Sequence, residues 1–348
     1  MDFSGAMPPQ PLLMTETTTI PTPATLQELP ATYGALTKVR LSMLVVVTTG
    51  VGFIMASVGP LDWWVLFWTV VGTMACACSA NGLNQVVEVR RDKLMDRTKN
   101  RPMPSGAISR QHGWIVAVVL GYLGLCALVF FVNLAAAGLS LLTMLIYVLL
   151  YTPMKLRTTL NTLVGAVVGA IPPLIGWVAA GSELSIGAWI LAALLFVWQL
   201  PHFLALAWLY REEYDRAGFK MLPGVTGGEH ITCEVVLLTT MLLIPLSVTA
   251  TMIGMAGTAY AICTIIMGIG WSMLAYTFFR RRDRSSARRV FLASLLYLPL
   301  LLGVMIADRN ELTANQLGTL VLQPLDDAPP AQAPTDPDSL PMAPDNGS

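Results

Sequence analysis

Residues 63–101 read WWVLFWTVVGTMACACSANGLNQVVEVRRDKLMDRTKNR, and the change of character inside this stretch decides the fold. Residues 63–83 carry no charge and are long enough to cross a hydrocarbon core, which takes about 20 mostly apolar residues. Residues 88–101 then carry nine charges in fourteen positions, in a chain that is only 12% charged. The charged part follows the apolar part without a break, which predicts one helix that leaves the membrane and continues into water. A lipid-facing strand would leave backbone N–H and C=O groups unpaired, so the span must be helical.

The same pattern recurs outward from this stretch. Apolar segments of spanning length fall at about 41–59, 63–83, 113–132, 134–151, 161–181, 186–208, 234–254, 257–279 and 290–307. None alternates as a porin strand would. The apolar share of 55% and the mean hydropathy of +0.63 exclude a soluble domain, since such domains are about 25% charged. The expected fold is all-α and polytopic, with nine transmembrane helices. The basic residues agree with that count: 20 of the 21 Lys and Arg fall before span 1 or between spans 2/3, 4/5, 6/7 and 8/9. The alternate loops near 60, 133, 183 and 256 hold none. The positive-inside rule then puts the N-terminus and the basic loops in the cytoplasm and the C-terminus outside.

Residues 1–33 and 308–348 hold 13 of the 23 prolines and read as disordered tails flanking a membrane domain over 34–307. The first tail lacks the basic residues of a transit or secretory signal. Overall charge is balanced, 21 acids against 21 bases, which points to no nucleic-acid partner. Five cysteines, an odd number, do not suggest a disulfide framework, and Cys76 and Cys78 lack zinc-ligand spacing.

Three stretches carry chemistry. In the first, Asn84, Glu88, Asp92 and Asp96 recur every fourth residue. Four residues advance a helix by about 6 Å and 40°, so neighbouring members of the series can share a ligand. A row of oxygen ligands at the membrane boundary suits Mg²⁺, commonly held by one or two carboxylates plus substrate phosphates. The plainer alternative is a solvated helix with local ion pairs such as Glu88–Arg91 and Asp96–Lys99. In the second stretch, WQLPHFLALAWLYREEYDRAGFKMLP at 198–223, Glu212, Glu213 and Asp215 interleave with Arg211, Arg216 and Lys220. Acids for a metal beside bases for oxyanions are what a diphosphate needs. His202 stands at membrane depth beside Pro201; it is either a ligand or proton-transfer group, or a histidine bonded to a neighbouring helix. His112 and His230 read as surface loop residues. The third stretch, YTPMKLRTTLNTLVGAVVGAIPPLIGW at 151–177, offers Lys155 and Arg157 for phosphate or as boundary markers, and glycines for close helix approach. The arginines of 280–289 read as a topology signal and a contact for anionic lipid.

Together, these three stretches and the Asn-Arg-Pro block at 100–102 resemble the haem O synthases, or protohaem IX farnesyltransferases, a branch of the UbiA-type intramembrane prenyltransferases. The likeness runs from about Leu36 to Ala307. It implies nine helices around a lateral, lipid-accessible cavity capped by cytoplasmic acidic loops. It implies farnesyl transfer from farnesyl diphosphate to a vinyl group of haem B, which is substrate and not cofactor, giving haem O. Mg²⁺, or another divalent ion, would bind with the diphosphate. Carried over by position, Asn84, Glu88 and Asp92 resemble the metal-binding first motif, and Glu213 the acid of the second. Lys38, Arg40, Arg97, Arg101 and Lys155 match diphosphate-binding bases, and His202 is a candidate haem contact. The implied setting is a bacterial inner membrane, with haem A synthase or terminal-oxidase assembly as further partners. The sequence departs from the branch at Lys38-Val39-Arg40, where a proline is common in the middle. It departs again at Glu88, where the first acid is commonly Asp, and at Tyr210, where an acid is expected. Rival readings are a prenyltransferase acting on a quinone precursor, a transporter or channel with an acidic mouth, and a non-catalytic haem-binding protein.

Overall fold

The computed structural model describes residues 29–310. Among them, nine helices are long and apolar enough to cross a membrane, and no β-strand forms. A short helix α1 (Leu29–Leu36) precedes α2 (Val39–Ala56), α3 (Trp63–Asp92), α4 (Arg110–Phe131) and α5 (Leu134–Met154). Then come α6 (Asn161–Ala179), α7 (Ile186–Leu209), the short α8 (Arg211–Arg216), α9 (Gly228–Met252), α10 (Thr258–Arg281) and α11 (Arg284–Ala307). All nine expected spans are present. The ends are set by side chains that satisfy the free N–H groups of the first turn. Asp62 accepts from Trp64 and Val65, and Ser109 from His112. Asn133 accepts from Ala136 at 2.8 Å, which lets the chain turn from α4 to α5 in two residues.

The boundaries differ from the sequence reading in three ways. Helix α1 begins inside the stretch expected to be a disordered tail. Gln85 of α3 explains it, donating to the carbonyls of Ala35 and Leu36 at 2.9 and 2.6 Å, while Leu36 is fully buried beside Val86, Met103 and Ile108. At the other end, Asp308 accepts from Tyr260 N and Arg309 donates to the Ile54 carbonyl, so 308–310 belong to the folded part. The rest of both tails lies outside the described residues. Third, α4 and α9 begin early enough to place His112 and His230 in first helical turns rather than loops. Each is bonded there, His112 to Tyr33 and His230 to Arg282.

The helices α6 and α7 form the centre, with 67% of each spanning window buried against 17% in α5. The α2–α6 crossing is tight enough to exclude any side chain. A Cβ on Gly52 would lie 2.0 Å from the Pro173 carbonyl, and one on Gly176 1.8 Å from that of Thr49. Around this centre the outer faces are apolar and exposed, as at Phe130, Leu134, Met252 and Ile266. Apolar side chains facing outward on all-helical spans make this a multi-pass membrane protein. Between α2, α3, α5, α6 and α7 lies an apolar cavity of about 180 Å³. The half-exposed Leu41 and Leu44 line it, so it reaches the outer surface beside α2.

Candidate active site

The site forms where α3 leaves the apolar layer. Asn84, Glu88 and Asp92 lie on one buried stripe of α3, one turn apart, as the spacing predicted. Each is held by a different base from a different segment. Lys38, ahead of α2, donates to Asn84 Oδ1; Lys155, just after α5, to Glu88 Oε1; and Arg101, in the loop after α3, to Asp92 Oδ2. All three bonds are 2.8 Å long. This compact group of three cations therefore faces only two carboxylates. The surplus cation shows in Lys38: burial and the nearby Arg101 charge push its ammonium down to about 7, with Glu88 opposing. For Lys155 burial also disfavours the charge, but the Glu88 carboxylate and two nearby tyrosines outweigh it, and the net shift is upward.

Neutral groups missed by the sequence reading orient this cluster. The Thr152 hydroxyl donates to the Tyr147 carbonyl at 2.8 Å and accepts from Asn84 Nδ2 at 3.1 Å. A π-helical turn over Ile146–Tyr151 brings Thr152 there; such turns inside α-helices are frequent at functional sites. The Tyr147 hydroxyl donates to Asn81 Oδ1, and Asn81 donates to Ser42. Asn81 and Tyr147 also line the cavity, so the polar cluster is the cavity's roof. Only the unusual density of Asn, Tyr and Thr in apolar spans could have signalled these residues.

Asp96 does not continue the series. The helix stops at Asp92, whose carbonyl accepts from the Thr98 hydroxyl at 2.8 Å. Asp96 then lies on the surface, where Lys99 and Arg216 bond it and hold its carboxyl below the usual range. Of the two local ion pairs expected on this segment, Asp96–Lys99 forms. Glu88 pairs with Lys155 rather than Arg91, and Arg91 instead donates to the Ala217 carbonyl.

The second acidic stretch meets the first through the loop after α3. Glu213 accepts from the Arg97 backbone N–H at 3.2 Å. The Arg97 guanidinium lies over the Tyr210 ring and donates to the Tyr214 hydroxyl. The aromatic ring at 210, where an acid is expected, thus seats an arginine. Lys220 N donates to the Lys155 carbonyl at 2.7 Å, tying the α5–α6 loop to the segment after α8. Arg40 is exposed and makes no bond to the cluster. Among the described residues no three His, Cys, Asp or Glu side chains come close enough to hold a metal, so Glu213 forms no such group with Glu88 and Asp92. One observation still fits a cation: Asp92 Oδ1 is buried and has no hydrogen-bond partner. Two carboxylates and an amide oxygen form a hard donor set, which a Mg²⁺ completed by phosphate and water would suit.

His202 lines the cavity from α7, about 12 Å along the helix from Tyr210. Its Nδ1 lies 2.7 Å from Ser294 Oγ on α11, so the bond to a neighbouring helix does form, on a ring that also borders the cavity.

The UbiA prenyltransferase family model matches residues 45–300. A curated protoheme IX farnesyltransferase of Solibacter usitatus is 37% identical, over 80% of this chain and 99% of its own length. The mitochondrial protoheme IX farnesyltransferase of Arabidopsis thaliana is 40% identical over 80% of this chain, which spans 64% of that longer protein. Among solved structures, one reported for digeranylgeranylglyceryl phosphate synthase has a TM-score of 0.69 at 18% identity, covering 81% of this chain and 98% of that one. A UbiA homolog from Archaeoglobus fulgidus bound to DMAPP and Mg²⁺ has a TM-score of 0.63 at 14% identity, covering 79% and 98%. At such identities the solved structures speak for the fold alone. By the extent of the family match and the identity to its curated relatives, the chain belongs to the UbiA prenyltransferase family, in its protohaem IX farnesyltransferase branch.

Proposed function

We propose that this chain transfers the farnesyl group of farnesyl diphosphate to a vinyl carbon of haem B, giving haem O. The observation that carries the reading is the part-buried roof of three bases against two buried carboxylates, set over an apolar cavity. Such a roof lacks an anion, and the cavity beneath takes a long apolar chain. Lys38, Lys155 and Arg101 exchange their present partners for diphosphate oxygens, where negative charge grows as the C–O bond breaks. Asn84, Glu88 and Asp92 would hold the divalent ion, Mg²⁺ in this reading, which when bound neutralises the diphosphate and improves it as a leaving group. Glu213 acts through Arg97, fixing the loop that carries Arg101. Arg40, exposed at the start of α2, meets the diphosphate on its approach. The apolar walls keep water from the allylic cation while the vinyl carbon attacks C1. Water then adds to the resulting haem-stabilised cation and loses a proton, leaving a hydroxyethylfarnesyl group, and diphosphate departs with the C–O electron pair.

The same reading places the chain in a bacterial inner membrane with its N-terminus and the roof on the cytoplasmic side, because 20 of 21 bases lie on that side of nine spans. A terminal oxidase, directly or through haem A synthase, would consume the product.

The test is haem extraction and mass analysis from a bacterial host whose own haem O synthase is deleted. Haem O restored by this chain and lost in Asp92→Ala supports the assignment. Absence of haem O, with the chain present in the membrane, overturns it; a prenylated quinone precursor in the same cells would then identify the acceptor.

A further inference from the structure

The direction of the hydrogen bond at His202 follows from a second contact of its partner. Ser294 Oγ lies 2.7 Å from His202 Nδ1 and 2.5 Å from the Phe291 carbonyl oxygen. Two oxygens approach that closely only with the hydroxyl hydrogen between them. The serine has one hydrogen, so it donates to Phe291 and has only lone pairs left for the ring. Nδ1 must therefore carry the imidazole hydrogen, which leaves the lone pair on Nε2. Nε2 has no hydrogen bond, yet it is absent from the buried side-chain atoms that lack a partner. It therefore reaches open space, and His202 borders the cavity. Trp198 and Phe291 stack on the ring at 5.1 and 5.0 Å, with interplanar angles of 19° and 29°, and hold its plane. The Ser294 carbonyl also accepts from Trp198 Nε1 at 3.1 Å, so one residue steadies both the histidine and its neighbouring ring.

We propose that Ser294 is a positioning residue that holds His202 as an Nε2 ligand for the metal of a metalloporphyrin acceptor. The inference rests on the haem acceptor proposed above and adds where its metal is held. A free lone pair on a ring that borders an apolar cavity suits a metal and repels an ionised propionate, which needs a donor. A ligating histidine whose other ring N–H is bonded to an oxygen has a fixed orientation and a more basic metal-binding nitrogen.

The test uses the full chain in lipid nanodiscs with added haem B and no farnesyl diphosphate. Resonance Raman of the ferrous form reads the iron–histidine stretch, and optical titration reads affinity. The wild type shows the band, and His202→Ala loses it. Ser294→Ala moves it to lower frequency and weakens haem binding about 10-fold or more, while Ser294→Thr restores both. An unchanged band in His202→Ala, or wild-type band and affinity in Ser294→Ala, overturns the proposal. Should Ser294→Ala fail to fold, His202→Gly supplied with free imidazole or 1-methylimidazole reads the same point. Imidazole can donate to Ser294 and 1-methylimidazole cannot, so the latter ligates the haem at least about 10-fold more weakly; equal ligation overturns the proposal. Haem O formation in cells separates the levels. A chain that makes haem O but keeps its spectrum in His202→Ala fails this inference alone, whereas one that neither makes haem O nor binds haem fails the underlying reading as well.

Discussion

Thr152 carries no charge and lies outside every acidic motif, yet its hydroxyl accepts from the Asn84 amide that must present its oxygen to the site. Thr152→Val keeps the shape and removes the hydroxyl, leaving a buried amide hydrogen unpaired at a cost of about 1–3 kcal/mol. The expected result is a folded protein with a lowered unfolding temperature and a clear drop in haem O per unit of enzyme; wild-type output would show that Asn84 needs no such support. Lys155 makes a harsher case. It and Glu88 are a mostly buried pair, with side chains 12% and 8% exposed. Removing only the base in Lys155→Met leaves a carboxylate without its counter-charge, which costs about 3–5 kcal/mol at such sites. Adding Glu88→Gln should recover much of that stability without recovering turnover. Thermal unfolding of the single and double variants, beside product analysis, checks both parts. At this scale the sequence was readable where one helix carries the whole pattern, as in Asn84, Glu88 and Asp92. It was not readable where partners come from distant segments: the bonds from Lys38 and Lys155 span 46 and 67 positions. Asp96 was misleading because its spacing continues the series, while the Thr98 hydroxyl ends the helix one turn earlier.

Helices are placed by what they lack as much as by what they carry. Gly176 and Gly52 let α6 and α2 touch backbone to backbone, with a Cβ on either falling within about 2 Å of a carbonyl oxygen of the other helix. Gly176→Ala must force the helices apart at the cavity wall, and overpacking of this kind costs about 1–3 kcal/mol. Gly138, on an exposed face of α5, has nothing within 4 Å of its added Cβ. Gly138→Ala should therefore leave stability unchanged or raise it by up to about 1 kcal/mol, the helix-interior difference between the two residues. Unfolding of the two variants in one detergent separates the cases; equal loss in both would mean that the α2–α6 contact is not tight. The nine spans were legible from apolar length alone because lipid leaves the backbone no alternative to a helix. The π turn over Ile146–Tyr151 was not, since its residues read as an ordinary apolar span. The short α1 was also missed: eight residues are too few to be stable alone, and α1 is held by Gln85 of α3.

Across the whole molecule, chemistry and topology use the same residues. The bases that mark one face of the membrane domain include those that build the cavity roof, so in the proposed topology the roof faces the compartment to which the bases are retained. Nine spans are an odd number, which puts the two ends of the described chain on opposite sides. The six arginines from the end of α10 to the second turn of α11 reinforce this at the last hairpin. All are exposed, and the one acid among them, Asp283, is occupied in capping α11 through Ser286. Fusions of the full chain at its C-terminus to alkaline phosphatase, active only outside the cytoplasm, and to a fluorescent protein that matures only inside test the arrangement. Active phosphatase with a dark fluorescent partner is expected. Replacing all six arginines by Gln should lower the phosphatase signal, because the last hairpin then loses its retention charge. The seven bases from the last turn of α3 to the start of α4 still hold the first half in place, so haem O output should fall far less than the reporter signal. A fluorescent C-terminal fusion in the unaltered chain would reverse the topology and put the roof outside.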